Sequence, residues 1–312
     1  SDLACFPSKL VEPTKGTGIL MVCTFGDQTD VQWWREEGLP LKQIIMPNGR
    51  LGNVTFGEKG WESHNPEMAN GFYEGLAGKN VKQARAAIVE MLKGTNGAAS
   101  GSEPPLVAPP RSIRHAVKFF EKGENPLEFI ITRQWFVRLL DKREALLRKG
   151  EEIQWFPAFM HARYWDWTQN LNIDWCVSRQ RYFGVSFPVW YSLDSAGVPD
   201  YEHPILADEK ALPIDPSTVA PHGYDESQRD QPNGSMAEPD VFDTWLTSSL
   251  TPQIGSYWVQ DLERHKRLFP MDLRPQSHEI IRTWGFYTIA KALLHEDKIP
   301  WKNMAISGWV LD

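Results

Sequence analysis

Cysteine is scarce in this chain: Cys5, Cys23 and Cys176 are the only three in 312 residues, odd in number and widely spaced. Such a set offers neither a disulfide framework nor a zinc-binding CxxC pair, so no structural zinc or other metal site is expected. Long apolar runs are missing too. Nothing approaches the roughly 20 consecutive apolar residues that cross a bilayer, and the amino end lacks a basic-then-apolar signal region, which predicts a soluble, cytoplasmic protein without a membrane partner. Positive charge is not in excess: 33 Lys and Arg against 40 Asp and Glu leave a formal charge of -7. That argues against indiscriminate nucleic-acid binding, while a local basic face could still guide a polyanion.

What is present suffices for a substantial core. A hydrophobic content of 41% over this length predicts two domains rather than one. The chain breaks at 94–110, GTNGAASGSEPPLVAPP, which is too poor in periodic apolar residues to be a packed element and reads as a linker or long surface loop. Before it, 16–23 reads as a buried strand. The stretch 79–93 puts Val81, Ala84, Ile88, Val89 and Leu92 on one helix face, opposite a basic one. After the break, the β-branched and aromatic run 126–136, PLEFIITRQWF, predicts a strand. Helical spacing follows over 137–149, with basic residues near its end to suit the helix dipole.

The segment 204–239 is rich in proline, acids and turn residues and reads as an irregular insertion. Then a strand-like MDLRP at 271–275, a stretch 278–295 with Ile281, Trp284, Ile289, Leu293 and Leu294 at helical spacing, and a strand-like NMAISGWVL at 303–311 alternate to the carboxyl end. This alternation predicts a parallel sheet with crossover helices. The ligand of such a sheet lies beyond its carboxyl strand ends, here a crevice near Arg274, Ser307 and the helix beginning at His278.

The run 172–184, NIDWCVSRQRYFG, answers to no ordinary structural demand. Two arginines flank a glutamine between strand-like pieces, the second of them PVWY at 188–191. Arginine's fixed fork of donors suits phosphates or nucleic acid. A charged loop that merely joins strands fits the composition equally well.

Taken in order, GTGILMVCTFGDQTDV at 16–31, QWF at 134–136, DWCVSRQRYFG at 174–184, PVWY, DVFDTW at 240–245, LRPQSHEIIRTW at 273–284 and SGWVLD at 307–312 closely resemble the valyl-tRNA synthetases. These are large class I synthetases, whose valine, isoleucine and leucine members share the WCxSRQ pattern. DTW followed by TSS, and HEIIRTW, favour valine over isoleucine. The resemblance implies an α/β protein: the second half of a Rossmann-like parallel-sheet catalytic domain at 131–312, with an irregular insertion at about 192–239. Residues 1–130 would be the carboxyl-terminal part of a mixed α/β, β-barrel-like editing domain.

The implied chemistry is ATP-dependent activation of valine, with Mg2+ accompanying the ATP, and transfer to tRNA(Val). Hydrolysis of threonyl-tRNA(Val) by the editing domain complements it. Two sites are needed because an apolar pocket rejects an isostere that exchanges methyl for hydroxyl by only about a hundredfold. Carried over by position, Trp245, Ile280 and Trp284 would line the valine pocket, two indoles and one β-branched aliphatic forming a small rigid slot. Ile280 and Trp284 are four apart and would share a helix face.

In the editing pocket Asp27 and Asp30 match an acidic pair, with Asp30 the better partner for the substrate's α-ammonium group. Cys23 and Met21 stand where certain bacterial members carry threonine and lysine. Two aspartates three apart also make an ordinary turn or helix cap. Ser307, Gly308 and Trp309 match the strand end that approaches adenine, where glycine permits close backbone approach. Lys79, Lys82 and Arg85, with Arg111, Arg114 and Lys118, face tRNA phosphates or simply solvent. No HIGH or KMSKS motif is present, so the expectation is an internal piece of a larger synthetase, inactive without the missing segments of its parent chain. The alternatives are a noncatalytic tRNA-binding or regulatory paralogue and an isoleucyl relative.

Overall fold

The computed structural model describes residues 5–9, 11–14, 17–20, 28–94, 104–106, 108–112, 114, 117–120, 123 and 126–308. Contacts divide the chain into two compact units, Ser1–Thr132 and Arg133–Asp312.

The first unit is helical where its caps dictate. Helix α1 (Gln28–Glu36) carries Asp30 in its first turn and Arg35 in its last, which complements the dipole. Helix α2 (Pro66–Glu74) starts where Asn65 accepts from the Met68 N–H and Pro66 occupies a position whose N–H is unused. Helix α3 (Val81–Lys93) is opened by a capping box between Asn80 and Gln83, so it begins two residues later than its apolar spacing suggests. Its predicted apolar face is only partly covered, since among the described residues of this unit Tyr73 and Ala84 are the only buried hydrophobics. Tyr73 donates its hydroxyl to the Gly52 carbonyl at 2.8 Å and meets Phe56 edge-on.

Extended pairing in this unit is limited, among the described residues, to isolated bridges such as Ile45 with Leu51. Residues 17–20 make a turn with Gly18 at φ 70 rather than a strand; residues 16 and 21–23 of that expected strand lie outside the described set.

Of the strand expected over 126–136, only a bridge at Pro126 in the first unit and β1 (Phe136–Val137) at the start of the second form among the described residues. Leu127, Phe129 and Ile130 are exposed, because β propensity without a partner strand does not make a ladder. Helix α4 (Arg143–Glu152) leads into β2 (Gln154–Phe156) and packs on α5 (His161–Gln169). Strand β3 (Trp175–Cys176) pairs antiparallel with β1, and β4 (Ser178–Arg179) follows it after Val177.

The PVWY run becomes β5 (Val189–Ser192), buried at the centre of an antiparallel sheet between β6 (Ile205–Leu206) and β7 (Ser235–Ala237). The segment read as an irregular insertion thus supplies both flanking strands. Its prolines and acids form the connections, and only short apolar stretches pair.

Strand β8 (Val241–Phe242) pairs with β4, and the short helices α6 (Thr244–Ser248), α7 (Thr251–Gly255) and α8 (Leu262–Leu268) lead to β9 (Met271–Ser277). Helix α9 (Phe286–Glu296) then crosses to β10 (Trp301–Ser307). Strands β2, β10 and β9 form a parallel sheet in that order, so the alternation foreseen from the sequence gives the expected sheet. Pro275 sits in β9, whose position at the sheet's edge tolerates the missing N–H. Tyr164, Phe286, Ile289, Trp301 and Met304 are all but inaccessible and form the centre of the core between sheet and helices.

One expectation fails in detail. The stretch 278–295 is not a single α-helix: a 3-10 turn (His278–Ile280) and a π turn (Ile281–Gly285) precede α9. The Ile280–Trp284 spacing therefore runs through a π turn and not a regular α-helix. Ile280 is half-buried and Trp284 buried.

Candidate functional site

Two segments that are remote in sequence are fastened together beside a cavity. With Ser178 opposite Phe242 and Arg179 opposite Val241, the SRQ run meets DVFD along β4 and β8. Arg179 Nη2 lies 3.1 Å from Asp243 Oδ2, and its Nη1 donates to the Ser178 and Cys176 carbonyls. Gln180 Nε2 donates to Asp240 Oδ2 at 2.7 Å. Arg179 and Gln180 are therefore structural fasteners in a run that the sequence offered equally as a phosphate holder and as a loop joining strands. Arg181 is exposed and has no hydrogen-bond or ion-pair partner among the described residues.

Asp243 is the hub of this arrangement. Its buried carboxylate takes the Arg179 ion pair, lies 3.4 Å from Trp175 Nε1 and caps α6 by accepting the Trp245 N–H. A buried charge is tolerated when it is satisfied in this way. Tyr287 stacks on Trp175 with centroids 3.8 Å apart, and burial, reinforced by the Asp243 charge, pushes its phenol pKa up. Behind β5 a second carboxylate, Glu238, accepts from Trp135 Nε1 and Tyr191 Oη. Burial raises the Asp240 pKa, with Glu238 adding to the shift and Gln180 opposing it.

A cavity of about 360 Å³ opens next to the hub, with Arg179, Arg181, Phe183, Asp243 and Trp245 in its lining. Tyr182 and Phe183 stand almost fully in solvent, 92% and 87% exposed, with their rings edge to face at 4.9 Å. The two rings together make an exposed aromatic patch of the kind that marks an interaction surface.

At the parallel sheet, a crevice of about 510 Å³ lies at the carboxyl ends of β9 and β10, lined by Pro275, Gln276, Ser277, Ala305, Ile306 and Ser307. Gln276 is buried there, and its Oε1 has no partner among the described residues. A Cβ at Gly285 would come within 3.1 Å of the Gln276 amide, so the glycine makes room for it.

The two regions are connected through Trp284. Its Nε1 donates to the Ser248 carbonyl at 3.1 Å, at the end of the helix whose start carries Trp245. Its ring stacks on Trp301 with centroids 5.3 Å apart. Trp245 and Ile280 are half-buried against the same core that encloses Trp284.

Of the remaining candidates, Ser307 lines the crevice and Gly308 is exposed just beyond β10. Trp309, Cys23 and Asp27 lie outside the described residues. Asp30 is half-buried in the first turn of α1. Among the described residues no group of three or more His, Cys, Asp and Glu could hold a metal ion, and no helix is long and apolar enough to cross a membrane.

Sequence reasoning missed a buried relay. Ser256 Oγ is 2.7 Å from His265 Nδ1, and His265 Nε2 is 2.8 Å from Glu296 Oε2. Ser256 is wholly enclosed and also bonds the Pro252 carbonyl, so no substrate reaches it. The relay holds α8 against the end of α9. It also missed Asp240 and Asp243 as the partners of SRQ, for which the only signal was acid at both ends of DVFD.

Residues 25–312 match the family model for "tRNA synthetases class I (I, L, M and V)". The chain is 51% identical to a valine–tRNA ligase of Thermobifida fusca over 308 residues, covering 97% of this chain. It is 50% identical to that of Salinispora arenicola and 47% identical to that of Cutibacterium acnes, covering 97% and 96% of this chain. It spans 34% of the length of each of these relatives.

Proposed function

The chain belongs to the class I tRNA synthetases of the isoleucine, leucine, methionine and valine group, and from that membership we propose that it acts as part of a valine–tRNA ligase. In this reading the second unit is half of a Rossmann-like catalytic domain. The ligase activates valine with ATP, taken with Mg2+, and passes the valyl group to tRNA(Val) in the cytoplasm. The first unit belongs to the domain that hydrolyses threonyl-tRNA(Val), with Asp30 as ammonium partner and Cys23 and Asp27 nearby in sequence.

The observation that carries the reading is the joining of Trp245 and Trp284 by a short path. Asp243 caps the helix that carries Trp245, and the same helix ends at Ser248, whose carbonyl holds the Trp284 indole. Two rigid indoles and Ile280 make a slot that accepts a branched aliphatic side chain and excludes larger ones by shape. Valine enters this slot, ATP lies along the crevice at Ser307 and Gly308, and the exposed aromatics Tyr182 and Phe183 with Arg181 meet the unpaired end of the tRNA. Aromatic faces stack on unpaired bases and a free guanidinium pairs with phosphate.

The test is amino-acid-dependent ATP–pyrophosphate exchange by a ligase of full relative length that carries this segment. Exchange driven by valine, with Trp245→Ala raising the KM for valine, supports the reading. Exchange driven by isoleucine instead would assign the protein to the isoleucine branch, and none at all would favour a noncatalytic paralogue.

A further inference from the structure

Trp284 sits in the π turn with its indole buried. Its indole must be fixed by its neighbours. Two have been described, the Trp301 ring and the Ser248 carbonyl. The third is Arg274 of β9, whose guanidinium carbon lies 3.6 Å from the Trp284 ring centroid.

Arg274 is an unusual residue in that place. It is half-buried, and among the described residues no carboxylate lies within ion-pair distance of it. Its Nε is enclosed without a hydrogen-bond partner, and burial lowers its pKa. Withdrawing a cation from water without a counter-ion is unfavourable. The Trp284 indole offers it an electron-rich face, and a flat guanidinium covers such a face better than an ammonium does. Pro275, the next residue, holds the strand's backbone direction at this point.

We propose that Arg274 is a positioning residue for amino-acid recognition: its guanidinium, stacked on Trp284, fixes the indole that walls the aliphatic pocket and thereby limits the size of side chain the pocket takes. The proposal rests on the assignment of Trp245, Ile280 and Trp284 to that pocket. In this role Arg274 acts through Trp284. Without the stack the indole gains freedom to tilt, valine is held less well, and the longer isoleucine side chain is excluded less strictly.

The experiment compares Arg274→Met, which keeps the length and loses the charge and the flat face, with Arg274→Lys, which keeps the charge alone. Pyrophosphate exchange by the full-length ligase is measured over ranges of valine, isoleucine and ATP. Arg274→Met is expected to raise the KM for valine about tenfold and lower valine-over-isoleucine discrimination by about the same factor, with kcat and the KM for ATP within about twofold of the parent. Arg274→Lys should fall between. Valine KM and discrimination unchanged in folded Arg274→Met, or valine and ATP parameters degraded equally, overturns the proposal. Trp245→Ala is run alongside: if it raises the valine KM while both Arg274 variants do not, the inference alone has failed. If Trp245→Ala also leaves valine kinetics unchanged, the pocket assignment has failed and the inference goes with it.

Discussion

Replacing Gly150 with alanine separates helix propensity from packing, because the two predict opposite signs. Gly150 is buried inside α4, where alanine ordinarily stabilises a helix by about 1 kcal/mol. In this fold a Cβ at 150 would lie 2.2 Å from Cε1 and 2.6 Å from Cδ1 of Tyr164. The Tyr164 ring cannot easily retreat. It is fully buried, sits 5.6 Å from the Trp155 ring and 6.0 Å from that of Phe286, and its hydroxyl donates to the Leu146 carbonyl at 2.7 Å.

Forcing it aside costs about 1–3 kcal/mol in overpacking, and breaking the hydroxyl bond adds about 1–3 kcal/mol. Against the propensity gain, the net is a loss of about 3 kcal/mol, within a range of about 1–5. Urea unfolding of the parent and Gly150→Ala chains reads this directly as a lower midpoint at similar slope. The double variant Gly150→Ala/Tyr164→Ala should show no further loss from the alanine at 150 beyond that of Tyr164→Ala, since the clash is gone. A Gly150→Ala chain more stable than its parent would refute the packing argument.

Other expected outcomes follow from the same geometry. Asp240 binds its proton more tightly folded than unfolded, so its contribution is full below the ordinary aspartate range and is lost as pH rises through the raised value. Asp240→Asn, which can still accept from Gln180, should therefore gain stability relative to the parent between pH 4 and pH 7, as followed by urea unfolding at each pH; the opposite trend counts against the assignment. Tyr182→Ala and Phe183→Ala should change stability by no more than about 0.5 kcal/mol, yet raise the KM for tRNA in aminoacylation about tenfold each. Unaltered tRNA kinetics would remove the turn from the tRNA surface. Ser256→Ala should lower stability by about 1–3 kcal/mol through the orphaned His265 while activity per folded molecule stays the same, and loss of activity without loss of fold would show the relay to be functional.

Where local chemistry decides, the sequence could be read directly. Asn65 with Pro66, and Asn80 with Gln83, mark helix starts by satisfying backbone N–H groups within three residues. The alternation from 271 onward likewise specifies a strand, a crossover and a strand. The run 126–136 misled because β propensity describes a residue's fitness for a pleated surface and says nothing of whether a neighbour strand exists. Prolines and acids hid β6 and β7 for the converse reason, since a two- or three-residue strand leaves little periodicity to detect. The π turn was invisible because one widened turn leaves apolar spacing almost intact. The candidate site was legible as a set of motifs but not as a mechanism of assembly. Gln180 meets Asp240 across 60 residues and Trp284 meets Ser248 across 36, and no local pattern encodes such pairings.

The central claim is that this segment supplies the amino-acid-selecting part of a valine–tRNA ligase, and a segment exchange tests it most directly. Residues 25–308 replace the matching part of the Thermobifida fusca ligase, and the folded chimera is assayed for aminoacylation of tRNA(Val) with valine, isoleucine and threonine. The account predicts valylation with valine preferred and with loss of that preference in the Trp245→Ala chimera. A folded chimera that charges another amino acid preferentially, or whose valine preference survives Trp245→Ala, would contradict it.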